Sequence, residues 1–114
     1  MSRIELQKMF TFSPTVLGGK IVFIKITYTS PDGSIFTFFA ENPAEINPER
    51  FDLTGGSIEF ENDFRISWDT KMIEFSSNLN CPARRMEFII PVTREIQGSF
   101  ADLINGWHDL ALSL

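Results

Sequence analysis

Apolar residues recur at every second position in short runs, and a turn signal closes almost every run. Strand side chains alternate between two faces, so this period fits half-buried strands rather than helices. The clearest instance spans residues 20–41. In the run 20–29, Val22, Ile24, Ile26 and Tyr28 share one face, while Lys25, Thr27 and Thr29 share the other. Ser30-Pro31-Asp32-Gly33 follows. Proline presets φ at the first central position of a turn, and glycine accepts the positive φ that comes later. Residues 34–41 return as the partner strand, with Phe36, Phe38 and Ala40 on one parity and Ile35, Thr37 and Phe39 on the other. Both faces are apolar, which predicts a central strand.

The same alternation maps the rest of the chain. Ile4, Leu6, Phe10 and Phe12 suggest a first strand over residues 3–12, broken by Ser13-Pro14, and Gly18-Gly19 marks a turn. Residues 42–48 hold two prolines and no period, as expected of a loop crossing between sheets. A short strand over 51–54 ends at Gly55-Gly56. The segments 57–61, 64–68 and 72–76 read as a meander, turned at Asn62-Asp63 and Asp69-Thr70-Lys71. Residues 77–85 form an irregular connection. A strand over 86–92 contains Pro91, which cannot donate to a ladder, so it belongs at an edge or ends there.

The period then changes. Phe100, Leu103, Ile104, Trp107, Ala111 and Leu114 fall along one helical stripe, with Ser99 as the expected N-cap. Asn105-Gly106 also signals a hairpin, but the length of the helical pattern favours the helix. The expectation is a mainly β fold in a single domain over residues 1–114. It is an antiparallel β-sandwich or partly open barrel of seven to nine short strands with one C-terminal α-helix.

Composition narrows the function classes. Ten basic residues against 15 acidic ones give a net charge of -5, which argues against a nucleic-acid partner, since phosphate binding draws on Lys and Arg. The longest apolar runs fall far short of the ~20 residues needed to span a membrane. Glu5 and Lys8 interrupt any leader-like apolar stretch, and the lone Cys81 allows no internal disulfide. Together these favour a cytoplasmic protein. Twelve phenylalanines predict a thick β core.

Residues suited to chemistry are sparse. His108 stands alone, without the His/Cys cluster a metal site requires. Cys81 precedes Pro82 near Arg84 and Arg85, a setting that would suit a reactive thiol, yet a half-buried structural role is favoured. Gly18-Gly19-Lys20 and Gly55-Gly56-Ser57 lack the spacing of a phosphate loop. Glu59 and Glu61 share a strand face at a glycosidase-like separation, as any acidic strand does. No catalytic, cofactor or metal site is expected, and an enzyme is disfavoured.

Charge is the exception. Residues 41–63 carry Glu41, Glu45, Glu49, Asp52, Glu59, Glu61 and Asp63 against Arg50 alone. Such a field steers association with a basic protein. Phe64 and Trp68 are the nearest candidates for anchoring aromatics, should they be exposed. These nine residues form the expected partner-binding set. The small size and the acidic block from Glu41 to Asp63 resemble the immunity proteins of bacterial toxin–immunity pairs, including those of contact-dependent growth inhibition. The resemblance implies a non-catalytic inhibitor that occludes a basic toxin domain, often a nuclease. Two other readings stand beside it. One is a β-barrel carrier of an apolar small ligand, which requires a cavity of about 300 Å³ or more; the other is a structural or assembly subunit.

Overall fold

The Ser30–Gly33 turn forms as the sequence predicts. The Ser30 N–H donates to the Ser34 carbonyl at 2.8 Å, the Gly33 N–H donates to the Ser30 carbonyl at 2.9 Å, and Gly33 takes φ +91°. Asp32 fastens the turn by accepting from the Ser30 hydroxyl and from the Ser34 N–H. These bonds, the Ser30 hydroxyl first, hold its carboxyl down at about 2.

The computed structural model describes residues 9–44, 46–47, 52 and 54–114. Seven strands occur among the described residues: β1 (Phe10–Leu17), β2 (Lys20–Thr29), β3 (Ile35–Glu41), β4 (Gly55–Glu59), β5 (Phe64–Asp69), β6 (Met72–Ser77) and β7 (Met86–Pro91). A single turn of 3-10 helix, Pro82–Arg84, precedes β7, and α1 (Arg94–Ser113) follows it. The strands form two antiparallel meanders, β1-β2-β3 and β4-β5-β6-β7. No helix among the described residues is long and apolar enough to cross a membrane.

Register carries the parity of the sequence into the core. Phe10, Tyr28 and Phe36 align across the first sheet, as do Phe12, Ile26 and Phe38. Ile58, Ile66, Phe75 and Phe88 align across the second. The two inner faces meet on the β3 side, where Phe38 stacks on Phe75 and Phe36 lies against Phe88, both at 4.3 Å between ring centroids. On the β1 side α1 fills the space between the sheets. Phe100 touches Phe10 at 5.7 Å and Trp68 at 5.5 Å, and Trp107 stacks on Phe60 at 5.8 Å. Fully burying each such side chain contributes about 1.5–3 kcal/mol. The result is a sandwich closed by a helix on one flank.

Several expectations need correction. The sequence stops the first strand at Ser13-Pro14, but β1 runs through Pro14 to Leu17. Thr29 bonds Met9 across the ladder, so odd-numbered β1 residues face β2 and Pro14 turns its ring nitrogen to the free edge, where no donor is needed. Residues 3–8 of the expected strand, with Phe51 and Leu53 of the short strand 51–54, lie outside the described residues; Asp52 and Thr54 are not in a strand. Gly55-Gly56 begins β4 instead of ending a strand. A Cβ at Gly56 would lie 2.6 Å from Trp68 Cζ2, so this glycine makes room for an indole. The N-cap of α1 is Thr93, whose hydroxyl accepts from the Ile96 N–H. Ser99 lies inside the helix and accepts from the Phe10 N–H at 2.9 Å. Finally, β3 is an edge strand, not a central one. Its second apolar face is exposed, with Ile35 at 67% and Phe39 at 49% of full accessibility.

Candidate functional site

The acidic block divides in three dimensions. One group gathers where the end of β3 meets the β4–β5 turn. Asn62 in that turn donates from Nδ2 to the Phe39 carbonyl at 2.9 Å and accepts from the Glu41 N–H at 3.3 Å. Asn42 donates to a Glu61 carboxylate oxygen at 2.5 Å, and Asn80 donates to Asp63 at 2.6 Å. Neutral amides thus hold the Glu61 and Asp63 carboxylates and the Glu41 backbone at one corner without neutralising the acids.

The other acids do not join this corner. Glu59 projects from the outer face of the second sheet, 3.9 Å from Arg65. Asp52 stands at the far end of the β4–β5 ladder. Its carbonyl accepts from Trp68 Nε1 at 2.7 Å, and its carboxylate accepts from the Thr54 hydroxyl and N–H. Those Thr54 bonds lower its pKa. Gly55 pairs with Asp69 at that end, and Glu59 pairs with Arg65 at the other. Four residues of strand, about 14 Å, separate the two. Glu45 and Glu49 lie outside the described residues.

Phe64 and Trp68 are not surface anchors. They are only 3% and 8% exposed, because their parity on β5 is the inward one. Trp68 is tied down by its indole N–H, and Phe64 contributes a wall to a cavity.

That cavity is a concave feature between the two sheets. It is half-open, encloses about 530 Å³, and lies along the free side of β3. Phe36, Phe38, Phe64, Phe75 and Phe88 line it, and Thr37, Phe39, Met86 and Glu87 are its exposed lining residues. Asn62 belongs to both the cavity and the acidic corner, so the two features adjoin. Ser76 also contributes, but its hydroxyl lies on the opposite sheet face from Phe75. There it pairs in register with Arg65, and both Ser76 Oγ and Arg65 Nε are buried without hydrogen-bond partners.

Sequence reading missed Asn62 as an organiser and the residues that close the cavity. The available signal was Phe39, an aromatic on the parity facing away from Phe36 and Phe38. The residues considered for chemistry take structural places. Nδ1 of His108 contacts the Ile46 carbonyl, tying the inter-sheet loop to α1. Cys81 is exposed rather than half-buried, and its N–H and carbonyl close the turns around Pro82. Gly18 and Gly19 take positive φ in the β1–β2 turn.

Compared with models of known families, with curated proteins and with solved structures, the chain finds no match.

Proposed function

We propose that this protein is a non-catalytic inhibitor of the immunity type, which binds and neutralises a basic toxin domain. The observation that carries the reading is the acidic corner: Glu41, Glu61 and Asp63 are held together by amide side chains and lie beside an apolar cavity. Carboxylates so arranged stand in for the phosphates of a nuclease substrate and attract the Lys and Arg that would bind them. The working surface is narrower than the full acidic block, because Asp52 lies at the other end of the ladder and Glu59 faces Arg65.

The test is the association rate with the product of a neighbouring reading frame that co-purifies with this chain. Reversing Glu41, Glu61 and Asp63 to lysine slows association at least about tenfold at low salt and has less effect as salt rises. An unchanged on-rate overturns the reading.

A second reading, a carrier of an apolar small ligand, is favoured by the cavity, whose volume exceeds the ~300 Å³ such a site requires. Native mass spectrometry separates the two. Co-purifying lipid-like mass that leaves when Phe38 becomes tryptophan supports the carrier, and a bare chain mass counts against it.

A further inference from the structure

We propose that the free edge of β3 is a strand-addition site, and that its occupant is an extended segment of a protein partner alternating apolar and basic residues. The inference rests on the reading above, that a basic protein meets the acidic corner, and adds how contact is made.

An open sheet edge is a row of unpaired backbone groups, which proteins blunt with proline, charge, shortness or cover. Three of the four sheet edges among the described residues are blunted. At β1, Pro14 occupies an outward position and Ser99 receives the Phe10 N–H. At β7, Val92 bonds Lys71 across the ladder, so Pro91 turns its nitrogen outward. β4 is five residues long and carries Glu59. β3 is seven residues, IFTFFAE, with no proline; its one charge, Glu41, stands at its very end, and Ile35 and Phe39 are exposed along the rest of its outer face.

The ladder fixes which groups are free. Ser30 bonds Ser34 at one end of the β2–β3 pair, and Asn42 bonds Val22 at the other. Even-numbered β3 residues therefore face β2, and Ile35, Thr37, Phe39 and Glu41 turn their N–H and C=O outward. Asn62 engages the Phe39 C=O and the Glu41 N–H, as a neighbouring strand residue does. Its reach ends there. Among the described residues nothing bonds the Thr37 N–H and C=O or the Phe39 N–H, and Thr37 is exposed.

A strand paired antiparallel with Thr37 puts its flanking residues on the face of Phe36 and Phe38. The 530 Å³ cavity opens there. One extended segment therefore satisfies the backbone and fills the apolar space, the two elements of β-strand addition. An apolar small molecule fills the space alone and leaves the Thr37 groups to water. Charge chooses between partners. Glu41, Glu61 and Asp63 stand at the Asn62 end. A second copy brings the same acids and a net charge of -5, whereas a basic segment complements them.

The experiment titrates a labelled, end-blocked heptapeptide of alternating valine and lysine into the full chain at low salt. Two control peptides replace lysine with glutamate or N-methylate alternate backbone nitrogens. The expected dissociation constant is on the order of 10–100 µM, in the range of weak transient contacts. N-methylation weakens binding at least about tenfold, as does Thr37→Pro in the protein, while the glutamate peptide fails to bind. The Thr37 and Phe39 amide resonances shift on binding. The N-methyl control leaves the protein unaltered, so the result does not depend on how the proline variant folds. No binding at about 1 mM peptide overturns the proposal, as does binding indifferent to N-methylation. A dimer that Thr37→Pro dissociates also overturns it, because the edge is then taken by a second copy. Should Glu41→Gln with Glu61→Gln weaken peptide binding while N-methylation does not, strand addition fails and the acidic-corner reading stands. Should N-methylation matter and the two neutralisations not, it is the acidic reading that fails.

Discussion

The two flanks of the sandwich are closed to different degrees. On the β1 flank α1 lies between the sheets, Phe100 touches both of them, and the outward Phe10 N–H is bound by Ser99. On the β3 flank the sheets touch directly through Phe36 and Phe38, one amide side chain covers part of the edge, and a cavity of about 530 Å³ is left open. Both flanks use aromatic rings. The difference is that one has a dedicated covering element and the other does not. Stability concentrates on the first flank, and the second is left accessible.

If that contrast holds, truncation should cost far more on the helical flank. Phe100→Ala removes a ring that is 1% exposed and joins both sheets, and it should cost about 3–5 kcal/mol in denaturant melts. Phe39→Ala, on the open flank and half exposed, should cost less than about 1 kcal/mol. Equal losses would remove the distinction. Next in size, Gly56→Ala drives a methyl group into the buried Trp68 ring. Overpacking of this kind costs about 1–3 kcal/mol, readable as a lower melting temperature.

The two edge caps should differ less, but in a fixed order. Ser99→Ala leaves the N–H of buried Phe10 without its acceptor and should cost about 1 kcal/mol. Asn62→Ala frees backbone groups of two exposed residues, Phe39 and Glu41, which water satisfies, so its cost should be smaller. Chemical denaturation of the two variants side by side checks the order.

The smallest effect is one of pH. The Asp32 carboxyl sits at about 2 in the fold against an ordinary value of 3.8. A lowered folded pKa gives a contribution that is present above the unfolded value and lost as pH falls through the folded one. Asp32→Asn should therefore flatten the acid limb of stability between about pH 4 and pH 2, lowering stability slightly at neutral pH and matching the unaltered chain near pH 2. Thermal melts across that range give the slope.

Parity was legible because each ladder repeats it. Ile24, Ile26, Tyr28, Phe64 and Ile66 are buried on the faces their alternation assigns. Position within a sheet was less legible. Apolar residues on both faces of β3 suit a central strand and equally suit an edge that keeps an adhesive outer side. Glycine was ambiguous as well: Gly56 reads as a turn residue until Trp68, twelve positions later, is paired against it. Ser99 has the chemistry of a cap, but its hydroxyl serves a strand 89 residues away in sequence. The acidic site was half legible. Nearness in sequence does not become nearness in space when the intervening chain is extended, so Asp52 and Glu61 end on opposite ends of one hairpin. The amides that gather Glu41, Glu61 and Asp63 come from three separate segments.

Trp68 has a spectroscopic consequence. Its ring rests over Gly56 and its N–H reaches the backbone at Asp52, and the other indole, Trp107, is buried on the inward face of α1. Both tryptophans are thus buried and should emit at short wavelength. Loss of the Trp68 bond to the Asp52 carbonyl would wet one of them and leave the other dry, giving an optical readout of that local opening without any added label.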